Sequence, residues 1–171
     1  MKKVLATFVF TLLSLGLYAQ QGMKLGVHGG LPLDEFQDQL SLVAGVDLGY
    51  RWGLSEIVDL GVMVGFVNGF PEKYDRELFS EDLPNIQFMP LAASVRFWTS
   101  NSFSIGGDVG QAIGINSGND GGLYYRPTIG YLMGAQTEVN FSYTGIALDG
   151  ATWSTLLLGY SILSIFKSLS F

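Results

Sequence analysis

Cysteine is absent from the 171 residues, which removes disulfides, thiolate metal sites and thiol nucleophiles, along with the lipid-bearing cysteine that a bacterial lipoprotein carries at its mature N-terminus. Charge is scarce: 14% of residues are Asp, Glu, Lys or Arg, against about 25% in an ordinary soluble domain, so much of the surface is not built for water. The charge that is present sums to -6, which argues against a nucleic-acid partner. One histidine, His28, leaves no pair from which to build a transition-metal centre, and no cofactor is implied. Apart from the N-terminal segment, no run is long and apolar enough for a spanning helix.

That segment has the layout of an export signal. Lys2 and Lys3 precede a mostly apolar stretch from Val4 to Leu17, followed by Leu17-Tyr18-Ala19 and then Gln20-Gln21. The stretch is shorter than the roughly 20 residues an anchor helix needs. Residues 1–19 are therefore expected to be a cleaved signal peptide and 20–171 a single domain.

An apolar composition without spanning helices points to a closed β-barrel, because in lipid every backbone N–H and C=O must be paired internally. Alternation supports it. In 42–52 the even positions (Leu42 through Tyr50 and Trp52) are apolar or aromatic, while the odd ones from Gly45 onward are Gly45, Asp47, Gly49 and Arg51. Val62, Val64 and Phe66 oppose Asp59, Gly61 and Gly65; Phe103, Ile105 and Val109 oppose Ser104, Gly106 and Asp108. The pattern predicts eight antiparallel strands near 22–30, 41–52, 57–68, 85–98, 102–115, 123–134, 137–145 and 153–162. Short connections near 53–56, 99–101 and 135–136 alternate with longer ones at 31–40, 69–84, 116–122 and 146–152, as in an up-and-down transmembrane barrel with short periplasmic turns and longer outer loops. A soluble lipocalin-like barrel would carry the opposite polarity, apolar inside and polar outside.

The order of several short segments resembles a known family. Asn85-Ile86-Gln87-Phe88-Met89-Pro90-Leu91 running to Phe97-Trp98 is similar to the aliphatic-Pro-Leu strand with an aromatic-pair ending of the outer-membrane β-barrel domain family, PorT-like members of Bacteroidota included. Arg126-Pro127-Thr128-Ile129-Gly130-Tyr131, Leu158-Gly159-Tyr160 and Lys24-Leu25-Gly26-Val27 resemble its sixth, eighth and first strands. The resemblance covers nearly the whole mature chain. It implies an eight-stranded barrel, the outer membrane of a Gram-negative bacterium, and no catalytic residues.

Parity assigns the charges. Lys24, Arg51, Arg96 and Arg126 face inward with Asp47, Asp59, Asp108 and Glu138, four of each sign, so the lumen is expected to be a balanced network that plugs it; the alternative is a narrow porin-like path for ions or small solutes. The acidic excess falls in the loops, on Asp34, Glu35, Asp38, Asp120, Asp149 and the mixed run from Glu72 to Asp82. These loops offer a surface for an external protein partner or for lipopolysaccharide, the residues from Phe70 to Leu83 forming either that surface or a lid. Val62, Val64 and Phe66 are expected to face lipid, with Tyr50, Trp52, Phe97, Trp98 and Phe103 forming the periplasmic aromatic girdle. A lipid-A-modifying enzyme would need His28 with Ser104 and Asp108, a grouping that no spacing selects, so His28 is expected to be a lumenal hydrogen-bonding group. Asn116 to Gly122 has oxygen ligands but not the pattern of a calcium loop.

Two local irregularities are expected. Ile86 and Phe88 are apolar on even positions, Leu91 to Phe97 on odd ones, which suggests a bulge at Met89-Pro90. Parity shifts again after Ile162, so 163–171 either extends strand eight through a bulge or leaves the barrel. The terminal Phe171 matches the ending that barrel-assembly machinery is expected to read.

Overall fold

The computed structural model describes residues 21–36, 40–71, 85–116 and 118–165; residues 1–20, with the expected signal peptide, and the greater part of the second loop lie outside them. Eight strands follow one another: β1 Gln21–Leu33, β2 Leu40–Gly53, β3 Val58–Pro71, β4 Ile86–Trp98, β5 Phe103–Gly114, β6 Gly122–Leu132, β7 Thr137–Leu148 and β8 Ala151–Ile165, with a short 3-10 turn at Asp34–Phe36. Each pairs antiparallel with its neighbour, and β8 pairs with β1 to close the barrel. Closure satisfies the ladder groups of both would-be edge strands, which is what a sheet in lipid requires.

Register fixes the tilt. A path of cross-strand partners from Met23 runs through Tyr50, Val62, Ala93, Val109, Tyr125, Gly145 and Ser154 and returns to β1 at Leu33, ten residues beyond its start. A stagger of that size over eight strands tilts them by about 35–45° and leaves an interior that side chains can fill. Three four-residue turns, Leu54–Ile57, Thr99–Ser102 and Met133–Gln136, close one end, here the turn end, where both chain termini of the barrel also lie. Their backbones are pinned by Leu54 N–H to Val58 O at 2.8 Å, Thr99 N–H to Phe103 O at 3.0 Å and Met133 N–H to Thr137 O at 2.9 Å.

The opposite, loop end departs from expectation at its last connection. Instead of a loop over 146–152, Leu148 pairs directly with Ala151, and only Asp149 and Gly150 make the turn. Gly150 sits at φ +86°, a conformation that costs glycine nothing and lets both strands continue to the tip.

No bulge forms at Pro90. Phe88 through Trp98 pair with Gly114 through Ser104 in one unbroken register. On the β3 side the partners Val64–Leu91 and Val67–Phe88 also share one register, with the ladder open only between them. The missing proline N–H is accommodated by that local opening, and Pro90 points inward against Gly65. Pro127 repeats the device: β6 pairs β7 at Tyr125–Gly145 and Thr128–Ser142 and skips the residues between. Strand eight likewise keeps a single register with β1 from Ser154 to Ile165, so it extends past Ile162 without a bulge; residues 166–171 lie outside the described set.

The outward face is predominantly apolar. Leu25, Val27, Val46, Leu48, Leu60, Val62, Val64, Phe66, Leu91, Phe97, Ile105, Val109, Ile129, Phe141 and Leu158 are all exposed there. Tyr50 and Trp52 stack edge-on at 4.9 Å near the turn end, and Phe103 lies outward beside them in height. Trp98 is a correction: it shares the inward parity of Arg96, and its indole Nε1 donates to Asp59 at 2.7 Å, so it belongs to the lumen mouth and not to the girdle.

Candidate functional site

Among the described residues, the lumen is where the charged side chains gather, and its contents change with height. From the turn end upward, the inward residues of β1 are Lys24, Gly26, His28 and Gly30; those of β2 are Arg51, Gly49, Asp47, Gly45 and Val43; those of β7 are Glu138, Asn140, Ser142, Thr144 and Ile146. Charges come first, then small and hydroxyl residues, then apolar ones. The inward glycines give the large side chains room. A Cβ at Gly106 would lie 3.0 Å from the Arg96 Cδ, one at Gly61 3.1 Å from the Arg51 Cγ, and one at Gly45 2.3 Å from the His28 Nε2.

The first charged layer centres on Glu138, whose side chain has no exposure. Lys24 Nζ donates to its Oε1 at 2.8 Å, Arg96 Nη1 reaches the same oxygen at 3.4 Å, and Arg51 Nη1 lies 3.5 Å from Oε2. Arg96 also contacts Ser104 Oγ at 3.4 Å. Three cations thus share one carboxylate.

Arg126 organises the second layer, closer to mid-height. Its Nε donates to Asp108 Oδ2 at 2.8 Å and its Nη1 to Asp47 Oδ2 at 2.6 Å, while the Tyr124 ring packs against the guanidinium at 5.9 Å. The Ser94 hydroxyl donates to the other Asp108 oxygen. His28 Nδ1 lies 3.3 Å from Asp47 Oδ2. Arg126 is planar and bidentate in reach, so one side chain bridges carboxylates from two different strands.

The eight charges assigned by parity do lie in the lumen, and with His28 neutral they sum to zero, but they are not paired one to one. The Glu138 layer carries +2, the Arg126 layer -1, and Asp59 stands apart with Trp98. The three groups an esterase-like centre would need are not assembled: His28 faces Asp47, Asp108 is held by Arg126 and Ser94, and Ser104 belongs to the other layer with Arg96. Among the described residues no three acidic or imidazole side chains converge on a metal-sized space.

Above the charges sits an apolar plug that parity reasoning missed. Val43, Val67, Phe88, Ala112, Ile146, Trp153 and Leu157 are buried in the loop-side half of the lumen. Trp153 meets Phe88 edge-on at 5.1 Å and Phe36 at 5.3 Å, and its ring fills the space over Gly69. Phe88, expected to face lipid, is fully buried here. The available clue was that Trp153 and Leu157 share the odd parity of Gly159 and Ser161.

At the loop end, Asn116 and Asn119 spend their side-chain oxygens on structure. Asn116 Oδ1 accepts from Gln87 N–H at 2.7 Å, Asn119 Nδ2 donates to Gln87 O at 3.0 Å, and Asn119 Oδ1 accepts from Gly121 N–H at 3.1 Å. Asp34, Asp120 and Asp149 are exposed there. Asp38 and the run from Glu72 to Asp82 lie outside the described residues, as does the expected lid or docking surface of the second loop.

A closed eight-stranded barrel, apolar outside and charged within, defines the class of small transmembrane β-barrels. No protein-family model matches the sequence, and no curated protein matches it by sequence. Similarity lies with solved structures. The chain resembles the Yersinia pestis outer-membrane protein Ail in a phospholipid bilayer nanodisc (TM-score 0.62, 15% identity, 85% of this chain and 99% of that one). It also resembles Ail, the attachment invasion locus protein, in complex with the heparin analogue sucrose octasulfate (TM-score 0.55, 17% identity, 85% and 99%). A de novo designed transmembrane β-barrel is similar as well (TM-score 0.52, 12% identity, 84% and 95%). At these identities the likeness is one of fold.

Proposed function

We propose that this protein is a small integral β-barrel of a Gram-negative outer membrane, delivered there by its N-terminal export segment and the barrel-assembly machinery, with a structural or surface-interaction role. One observation carries this reading: the charged side chains of the strands are folded into a filled lumen while the outward face is predominantly apolar. Only a hydrocarbon surround makes that distribution favourable. The lumen supports a plug over a conduit, because the network around the fully buried Glu138 fills the turn side and the Phe88–Trp153 cluster fills the loop side. What remains for contact with the exterior is the loop end, with exposed Asp34, Asp120 and Asp149 and an acidic second loop. That charge suits a basic protein partner, or lipopolysaccharide through bridging divalent cations. The PorT-like sequence resemblance supports the same address.

The absence of cysteine gives a direct test. Asp149→Cys and Ser100→Cys place single thiols at the loop end and the turn end. An impermeant maleimide applied to intact cells should label the first at once and the second only after permeabilisation. Labelling of Ser100→Cys alone in intact cells would invert the orientation, and recovery of the protein outside the outer-membrane fraction would overturn the location.

A further inference from the structure

We propose that Asp149-Gly150, the tip of the β7–β8 hairpin, is a site of spontaneous isoaspartate formation in the folded protein. The inference rests on the geometry of the turn and not on the function argued above. The chemistry is intramolecular. The Gly150 backbone nitrogen attacks Asp149 Cγ, its proton and the carboxyl hydroxyl leave as water, and a five-membered succinimide closes. Water then adds at the main-chain carbonyl of Asp149 and breaks the bond from that carbon to nitrogen. Gly150 is left attached through Cγ, and the former main-chain carbonyl becomes a free carboxylate. One water leaves and one returns, and nothing is oxidised or reduced.

Three conditions govern such a pair: a glycine nitrogen free of hydrogen bonds, a side-chain carbonyl carbon that nothing holds, and main-chain room to bring the two together. Glycine favours the step because it has no Cβ to obstruct the approach. The chain has three candidate pairs, Asn68-Gly69, Asp120-Gly121 and Asp149-Gly150. The structure separates them. Asn68 lies within β3 and is 8% exposed, in register with Ala44 on one side and Gln87 on the other, and Gly69 is paired likewise with Val43 and Ile86. Asn68 Oδ1 also accepts from Gln87 Nε2 at 2.9 Å. Two ladders hold that peptide extended, and it cannot rotate without breaking them. Asp120 is exposed, but the Gly121 N–H donates to Asn119 Oδ1 at 3.1 Å, and a Cβ at Gly121 would run into Ala112 O, so the nitrogen is engaged and its peptide hemmed in.

Asp149-Gly150 meets all three conditions. Both residues are exposed and lie beyond the last ladder pair, Leu148–Ala151. Neither the Asp149 carboxylate nor the Gly150 N–H is hydrogen-bonded to a described residue, and nothing lies within 4 Å of the place a Gly150 Cβ would take. The turn borders an open cavity of about 420 Å³, lined also by Asp34, Leu148, Ala151 and Thr152, into which a rotating peptide can move. The product changes the surface. It lengthens the main chain by one carbon in a turn of only two residues, and it displaces one of the carboxylates, with Asp34 and Asp120, that the loop end exposes.

The test follows the full mature barrel, folded in lipid vesicles, beside the same protein unfolded in urea, both held at neutral pH. Isoaspartate is quantified by enzymatic methyl transfer to its free carboxylate and located by electron-transfer dissociation mass spectrometry. In the folded barrel it should accumulate at residue 149 at least about ten-fold faster than at 120, where a local opening must first break the Gly121–Asn119 hydrogen bond. Asn68 should not deamidate while folded. In urea all three pairs should react, which shows that the fold and not the sequence makes the selection. Asp149→Glu should abolish the signal and keep the heat-dependent mobility of the barrel, since the longer side chain would have to close a less favourable six-membered ring. A folded barrel that forms no isoaspartate at residue 149 overturns the proposal. So do equal rates at 120 and 149 in the folded state, or an undiminished signal in Asp149→Glu.

Discussion

Replacing Glu138 by Gln is the sharpest perturbation of the lumen, because it keeps the shape of the side chain and deletes one charge. Glu138 has no exposure, and its three cationic partners are 5% (Arg96), 11% (Arg51) and 14% (Lys24) exposed, so little water reaches the layer to compensate. Removing one partner from a buried ionic group typically costs about 3–5 kcal/mol, since it leaves the opposite charge unpaired. Here the layer would go from +2 to +3, and Lys24 would exchange a 2.8 Å charged hydrogen bond for a neutral one. The partial exposure of Lys24 favours the lower end, about 3 kcal/mol. Urea unfolding in lipid vesicles reads this through tryptophan fluorescence, with folded protein quantified on unboiled gels. Adding Arg51→Met to Glu138→Gln removes a surplus cation and should recover part of the loss, so the two changes should not add. A Glu138→Gln barrel within 0.5 kcal/mol of wild type, or strict additivity in the double variant, would refute the account of the layer.

Other outcomes follow from the register. Val64→Arg, midway along the outward face of β3, should cost about 2–4 kcal/mol in the same unfolding assay, whereas Asn119→Arg at the loop tip should cost almost nothing; equal costs would contradict the assignment of faces. A nitroxide at Leu91 should be readily relaxed by oxygen dissolved in the acyl chains, and one at Phe88 should not; lipid contact at Phe88 would restore the rejected bulge. Trp153→Ala should lower stability by about 3–5 kcal/mol by opening a cavity at the centre of the plug, and a loss below 1 kcal/mol would show that the plug does not hold the loop end together.

The fold was legible because the outward face obeys a two-residue period over most strands, and that face alone decides barrel against soluble domain. The charged half of the lumen was legible for the same reason: Asp47 and Arg51, or Asp108 and Ser104, interrupt an apolar run at alternate positions. The rule fails where both faces are apolar. In the loop-side half, Ile86, Phe88, Ile146, Trp153 and Leu157 are inward and greasy, so parity could be rescued only by inventing a bulge at Pro90. The Asp149-Gly150 pair was itself a hairpin signal, and the longer strands β7 and β8 follow from it. How the charges group was beyond sequence reach. That Glu138 gathers three cations and that Arg126 also reaches Asp47 depends on side chains crossing the lumen from non-adjacent strands, which strand parity does not encode; only Arg126–Asp108 is a direct cross-strand pair.

Single-channel recording in planar bilayers tests the filled lumen most directly. The folded wild-type barrel, inserted at known orientation, should pass no stable current, because the Glu138 layer and the Phe88–Trp153 plug block the path in series. Sustained, ion-selective unitary currents from protein shown to be folded would contradict the closed lumen and make the molecule a channel.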